Sequence, residues 1–397
     1  MRPDFTPCLR PLDVVPVEWE GRPSLILRDP LGYSEEFLVV PRVLAPLLSL
    51  MDGRHDLRDL QAAATRTLGR LVMLEEVVSL VERLEACGFL EGETFERLRE
   101  AAEASWRNAS VRPPACAGRS YPAEPEALRK FLEGILAREV PSPRQAPRVL
   151  VAPHLDLSSG ARGFAAAYRA LSLPRGARVL LFGTGHHLSH PLSVLTKDMD
   201  TPLGVVPVDR EAVDFLCRRV SRPFPDHFSH RNEHSLEFQA LFLRYRFADF
   251  RVVPILFGPV EGYLSEGRDP FEAEPLYREW LSALRKLLDE RTCLVLGIDF
   301  AHLGLRYGDP FPAGEREGRE ALRRDRALLE ALFSGDYPRF FLEARQSLPF
   351  KICGLSVLLF TARMLSGLDL RGEIYHQEAV PFGPGSLVSI AAAGIYR

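Results

Sequence analysis

Histidine is unevenly spread along this chain. Ten histidines occur in 397 residues; seven lie between His154 and His234, and an eighth is His302. Even spacing would place about two in that window, and histidine is both a common metal ligand and the usual general base. The clustering points to a metal or acid–base site. His154 closes the apolar segment PRVLVAPH (147–154). The pair His186 and His187 closes RVLLFGTGHH (178–187), and Asp299 and His302 lie at the end of TCLVLGIDFAH (292–302). Imidazoles with a carboxylate or thiolate suit non-haem Fe(II), copper or zinc rather than magnesium. Common alternatives are missing from the sequence. There is no H-E-x-x-H, no G-x-S-x-G and no G-x-x-x-x-G-K-[ST], which removes helical zincins, the serine-hydrolase elbow and the P-loop.

These residues need elements that deliver them to one place. From residue 147 onward, apolar strands alternate with amphipathic helices. Strands are expected at 147–154, 177–185, 250–258 and 292–300, and two more in EIYHQEAV and SLVSIAAAGIYR. Helices are expected at 160–173, 209–220 with Asp209 as cap, 233–247, 275–291, 317–333 and 352–365. Continuously apolar strands separated by helices predict an α/β fold with a mostly parallel central sheet covered on both faces. Ligands in such sheets bind at the carboxyl ends of the strands. His154, His186 and Asp299 would therefore share one rim.

The first hundred residues read differently. PSLILRDP and EEFLVV are short strand candidates. DGRHDLRDLQAAATRTL and LEEVVSLVERLEACGFLEGE are amphipathic helices, with Asp56 capping the first and Gly88 stopping the second. Strands, a helix pair and an apolar tail predict a small winged-helix-like α+β domain at 1–107. The Pro/Ala-rich stretch 108–116 reads as a linker before an α/β domain at 117–397. The stretch DG…DLRDLQ…EEVVSLVERLEACGFL resembles the PqqD-like peptide-binding domains, which implies a peptide or partner ligand there.

The totals exclude several classes. A net charge of −3 gives no reason to expect nucleic-acid or membrane partners. No apolar run reaches the ~18–20 residues of a membrane span. The N-terminal MRPDFTPCLRPLD has no apolar core of a signal peptide. Six scattered cysteines without C-x-x-C argue against a zinc ribbon or disulfide scaffold, and a reducing cytoplasm is expected.

From residue 115 onward the motifs become specific. AGRSYP (117–122), VAPHLDLSSG (151–160), GTGHH (183–187), TPLGVVPVD (201–209), NEHSLEFQALFL (232–243), GIDFAHLG (297–304) and KICG (351–354) occur in this order. Together they resemble the Memo family, whose bacterial and archaeal members are called AmmeMemoRadiSam system protein B. The resemblance implies a fold like the LigB-type extradiol dioxygenases, with Fe(II) or copper as cofactor and zinc less favoured. It implies radical-SAM and AmmeMemo-system partner proteins. The cavity residues it carries over are His154, His186, Asp299, His302 and Cys353.

On this basis His154, His186, His302 and Cys353 are the expected metal ligands. Cys353, just ahead of a helix, is expected to have a lowered thiol pKa. His302, Asp299 and His234 are the expected acid–base groups. His187 and Asp156 are expected to support the ligands from behind, because adjacent strand-end residues point different ways. Arg119 and Tyr121 are candidates for the pocket wall. His190, His227 and His230 are expected to be solvated loop residues. The departures from the family pattern are Asp156-Leu157 for Gly-Tyr, Gly297-Ile298 for Ser-Ser, and Thr184 for proline. They put a relative's substrate in doubt. Three functions follow as expectations: a metal-dependent redox protein, a non-catalytic scaffold with a vestigial cavity that binds a peptide or partner, and, more weakly, a zinc hydrolase.

Overall fold

A computed structural model describes residues 2–140 and 145–396. By internal contacts the chain divides into two units, Met1–Ala109 and Ser110–Arg397.

In the first unit, short segments of alternating burial form an antiparallel meander, β1 (Asp13–Trp19), β2 (Arg22–Arg28) and β3 (Phe37–Pro41). Leu25, Leu27, Leu38 and Val40 make its buried face, as the two-residue period of a strand requires. A short α1 (Ala45–Ser49) precedes α2 (Leu57–Leu68) and α3 (Leu74–Ala86). Asp56 caps α2 as expected. Its carboxylate accepts the Arg58 and Asp59 amides, and Asp59 returns a bond to the Asp56 amide. Gly88, at φ 69°, ends α3. The apolar tail that follows does not form a hairpin wing. It runs back along the N-terminal segment, with the Arg10 amide donating to Phe89 and the Glu91 amide to Cys8. α4 (Glu93–Asn108) then follows; the sequence reading does not predict it, because only Phe95 and Trp106 are buried along its length.

The second unit begins with β4 (Val111–Arg112), α5 (Pro125–Leu136), β5 (Val149–Ala152), α6 (Ala161–Ala170) and β6 (Ala177–Thr184). Next come β7 (Leu192–Val194), β8 (Asp198–Met199), α7 (Arg210–Arg219), α8 (His234–Arg246) and β9 (Phe250–Phe257). Short α9 (Glu261–Ser265) and α10 (Pro270–Ala273) lead to α11 (Pro275–Arg285), β10 (Thr292–Gly297) and β11 (His302–Gly304). The chain closes with α12 (Glu315–Phe333), α13 (Tyr337–Gln346), α14 (Leu355–Leu365), β12 (Arg371–Pro381) and β13 (Ser386–Tyr396).

The main sheet has the order β11-β13-β5-β10-β6-β9-β7, with β12 also on β13. The α/β expectation holds, but the parallel part is confined to β5, β10, β6 and β9. The sheet is mixed because β12 and β13 are joined by a short turn, which allows only antiparallel pairing. β13 is buried throughout and pairs antiparallel with β5. Among the described residues no helix is long and apolar enough to cross a membrane.

Candidate metal centre

β5, β10 and β6 are adjacent, parallel and in register. Gly297 faces Ala152 on one side and Gly183 on the other. Their carboxyl ends therefore open side by side. His154 follows β5, Asp299 follows β10, and His186 follows β6. The first turn of α8 lies across this rim. A Cβ on Gly297 would overlap the Ser235 carbonyl oxygen, and one on Gly183 would lie 2.5 Å from Ser235 Oγ. Glycine at both positions lets α8 approach closely enough to deliver Glu233 and His234.

His154 is buried. Its Nδ1 lies 2.9 Å from the Gly297 carbonyl oxygen. A carbonyl only accepts, so the proton sits on Nδ1 and the Nε2 lone pair faces the site. Nε2 is 3.3 Å from Cys353 Sγ, which also reaches the Asp299 carbonyl at 3.4 Å. Burial, then the neighbouring His186 and His234, hold the His154 pKa well below the ordinary imidazole value. It is a neutral ring, the form that ligates a metal.

His186 sits at the mouth with 29% of its side chain accessible. Its Nδ1 is 3.0 and 3.1 Å from the two Glu233 carboxylate oxygens, and its amide donates to the same group. Burial opposes the charged ring, but the Glu233 carboxylate and the Cys353 thiol outweigh it, and the His186 pKa is raised well above the ordinary value. His234 Nδ1 lies 3.4 Å from Glu233 Oε1. Burial lowers its pKa to about 4 despite that carboxylate. The three imidazole rings stand 4.9–5.1 Å apart between centroids. Donor atoms of His154, His186 and Cys353 all lie within 4.8 Å of one another, and so do those of His186, Glu233 and His234.

Glu233 is the residue that sequence reasoning missed. It is buried, caps α8 by accepting the Ser235 amide at 3.0 Å, and joins His186 to His234. Burial raises its pKa, but the histidines, led by His186, win and hold it well below the carboxylate range. The available signal was an acid directly before a histidine at a helix start, which also reads as an ordinary cap.

The other expected residues fall in different places. Asp299 is buried beside His154. Its Oδ1 accepts the His154 amide at 2.9 Å, and Oδ2 is 3.7 Å from His154 Nε2. Burial raises its pKa to about 7. His302 lies outside both compact donor groups. Backbone pairing with Val388 sets its direction, its Nδ1 is 2.9 Å from the Phe300 carbonyl, and its ring meets Tyr307 edge-on at 4.9 Å. Burial lowers its pKa to about 4.

Cys353 does not have the lowered pKa expected of a helix N-terminus. Burial dominates and pushes the thiol up, against the bond from His186. Asp156 belongs to neither compact donor group, and its Oδ1 accepts from Ser158 and Ser159 in the turn before α6. His187 is exposed, and its carbonyl accepts the Ser229 hydroxyl. His230 is fully buried rather than solvated, 3.0 Å from Ser193 Oγ, and burial lowers its pKa to about 3. His190 is half-buried and stacks on Phe224.

Tyr121 and Arg119 do not wall the pocket. Tyr121 is buried and donates to Glu237 at 2.5 Å; Arg119 is exposed and donates to the Ala115 carbonyl. Glu237 also accepts the Ala115 and Cys116 amides and pairs with the buried Arg112 at 2.5 Å. Arg112 in turn donates to the carbonyls of His230 and Glu233, each at 2.8 Å. This network ties residues 112–121 to the first turns of α8 and holds the backbone of Glu233. Arg112→Met leaves the Glu237 carboxylate buried without its cation, which costs about 3–5 kcal/mol. Urea unfolding should show that loss, and a midpoint unchanged from the parent would refute it.

Comparison with known proteins decides the family. The family model described as Memo-like protein matches residues 112–379. The chain belongs to the Memo family. A MEMO1 family protein of Thermus thermophilus is 33% identical over 313 residues, covering 78% of this chain and 89% of its own. One from Aquifex aeolicus is 32% identical over 292 residues, covering 72% of this chain and 74% of its own. One from Methanosarcina barkeri is 30% identical over 266 residues, covering 64% and 88%. In this Memo-family protein the matched region includes the whole rim, with Glu233 and the Arg112–Glu237 network.

Proposed function

We propose that this Memo-family protein holds a redox-active first-row metal, Fe(II) or copper, on His154, His186 and Cys353, and acts as an oxidoreductase. The observation that carries this reading is the convergence of two imidazole nitrogens and one sulfur within 4.8 Å. A nitrogen and sulfur donor set of this kind suits copper, iron or zinc and not magnesium or calcium. The group fits the residues present: Nε2 of His154 is unprotonated and faces the sulfur, and His186, whose pKa Glu233 raises, would give up its other ring proton on binding. Bound iron or copper supplies one-electron chemistry that side chains lack.

The remaining residues have roles that follow from their placement. Glu233 takes the Nδ1 proton side of His186, fixing the ring and leaving its other nitrogen toward Cys353. Asp299 holds the His154 backbone and, with a pKa of about 7, exchanges a proton near neutrality. His302, neutral with a pKa of about 4, stands at the edge of the site as a proton acceptor. Kinship with extradiol dioxygenases, a radical-SAM partner system and a peptide ligand at residues 1–107 are further parts of the proposal. They rest on the motif resemblance.

Anaerobic reconstitution with Fe(II), Cu(I) or Zn(II), followed by elemental analysis, tests the reading. Iron or copper near stoichiometry is expected. Retention under about 0.2 equivalents of either would refute it, because such sites bind tightly. Retention of zinc alone would favour hydrolytic chemistry, in which the metal lowers the pKa of bound water.

A further inference from the structure

A second site lies elsewhere in the same unit. A groove of about 450 Å³ between α11 and α14 is lined by Arg278, Arg285, Lys286 and Arg363, with no acidic residue in its wall. Among the described residues none of the four makes an ion pair with a carboxylate. All three guanidinium groups are held in place. Arg278 donates to the Phe271 and Glu272 carbonyls at 2.7 and 3.1 Å. Arg285 donates to the Met364 and Arg363 carbonyls at 3.2 and 2.7 Å. Arg363 lies over the Tyr337 ring at 4.7 Å. Glu279, the acid directly after Arg278 on α11, accepts the Ser221 amide.

Arg278 and Arg285 cap helix C-terminal carbonyls, and that alone would account for their positions. It does not account for Lys286 and Arg363 beside them. Nor does it use the remaining N–H donors, since each guanidinium carries five. Burial, then the nearby Arg363, lower the Arg285 pKa. Like charges are crowded in a wall that itself holds no carboxylate; Asp269, which accepts the Tyr337 hydroxyl at 2.9 Å, stands behind the ring that Arg363 covers. Arg278, Ser282 and Arg285 follow at helical spacing on one face of α11, so the cations span roughly 10 Å along its axis. That span exceeds a single phosphate. Planar guanidinium groups match phosphate oxygens in pairs.

We propose that this groove binds a small polyphosphate anion, such as the di- or triphosphate group of a phosphorylated metabolite. The site is separate from the rim: it meets the C-terminal end of α14, about 16 Å along that helix from the end beside Cys353.

Calorimetric titration of the full chain with inorganic tripolyphosphate and with orthophosphate, at matched ionic strength, tests the assignment. One saturable tripolyphosphate site is expected, at least ~10-fold tighter than orthophosphate. Lys286→Glu and Arg278→Gln should each weaken it by ~10-fold or more. Lys286 is exposed, so Lys286→Glu keeps the test valid if Arg278→Gln unfolds. Absence of saturable binding, or unchanged affinity in a folded Lys286→Glu protein, overturns the proposal. Binding of an oligonucleotide or of phosphatidylserine vesicles that tripolyphosphate cannot displace also overturns it, by showing a macromolecular surface instead.

Discussion

After anaerobic reconstitution, His154→Ala and His186→Ala proteins hold iron or copper at least ~100-fold more weakly than the parent, while His187→Ala retains it. The three histidines share a side chain but differ in geometry, and His154 and His186 differ in protonation. His154 faces Cys353 with an unprotonated nitrogen. His186 is fixed through Nδ1 by Glu233. His187 is exposed, and its backbone carbonyl accepts the Ser229 hydroxyl. Glu233→Gln gives the most informative intermediate case. It keeps the shape of the side chain and removes the charge that orients His186, so affinity falls by ~10–100-fold without loss of the fold. A chelator-competition titration with elemental analysis measures all four. Equal retention by His186→Ala and His187→Ala would sink the assignment of the first as ligand.

Asp325→Asn makes the protein more stable than the parent above pH 8, by about 3–5 kcal/mol, and leaves the two nearly equal near pH 4. Asp325 lies on α12 with no exposed surface, and both carboxyl oxygens lack a hydrogen-bond partner. The nearby Ser389 oxygen accepts the Ala301 amide, while its hydroxyl proton remains able to turn toward the carboxyl. Burial raises the Asp325 pKa from 3.8 to about 8, opposed by Ser389 and Arg324. The native state therefore keeps a proton that the unfolded chain releases at lower pH. The resulting stabilisation is complete below pH 4 and is lost as pH rises through about 8. Asparagine resembles the protonated acid and cannot ionise, so the variant has a flatter profile. Urea unfolding of both proteins at pH 5 and pH 9 tests this; a stability difference that does not grow with pH would refute it.

Much of the fold was legible because its signals are local. Continuous apolar runs marked β5, β6, β9 and β10, and Asp56 and Gly88 marked the ends of α2 and α3. Elements with sparse or mixed patterns were missed. α4 buries little along its length, and β7, β8 and β11 are only two or three residues long. The mixed sheet was also hidden, because strand propensity does not tell which neighbour a strand will choose. β13 between β5 and β11 follows from a tight turn and two fully buried faces.

The site divides in the same way. Sequence alone placed His154, His186 and Asp299 at the ends of three strands, and strand ends in a parallel sheet share a rim. That much follows from topology. Which atoms meet there depends on contacts between distant segments. Glycines at 183 and 297 admit α8, Glu233 arrives 47 residues after His186, and Arg112 holds its carbonyl from 121 residues away. Burial then reverses the expectation for Cys353, since desolvation of a thiolate outweighs a helix end. A strand end is written in a few adjacent residues. The protonation state and orientation of the side chains on it are set by neighbours that only tertiary packing supplies.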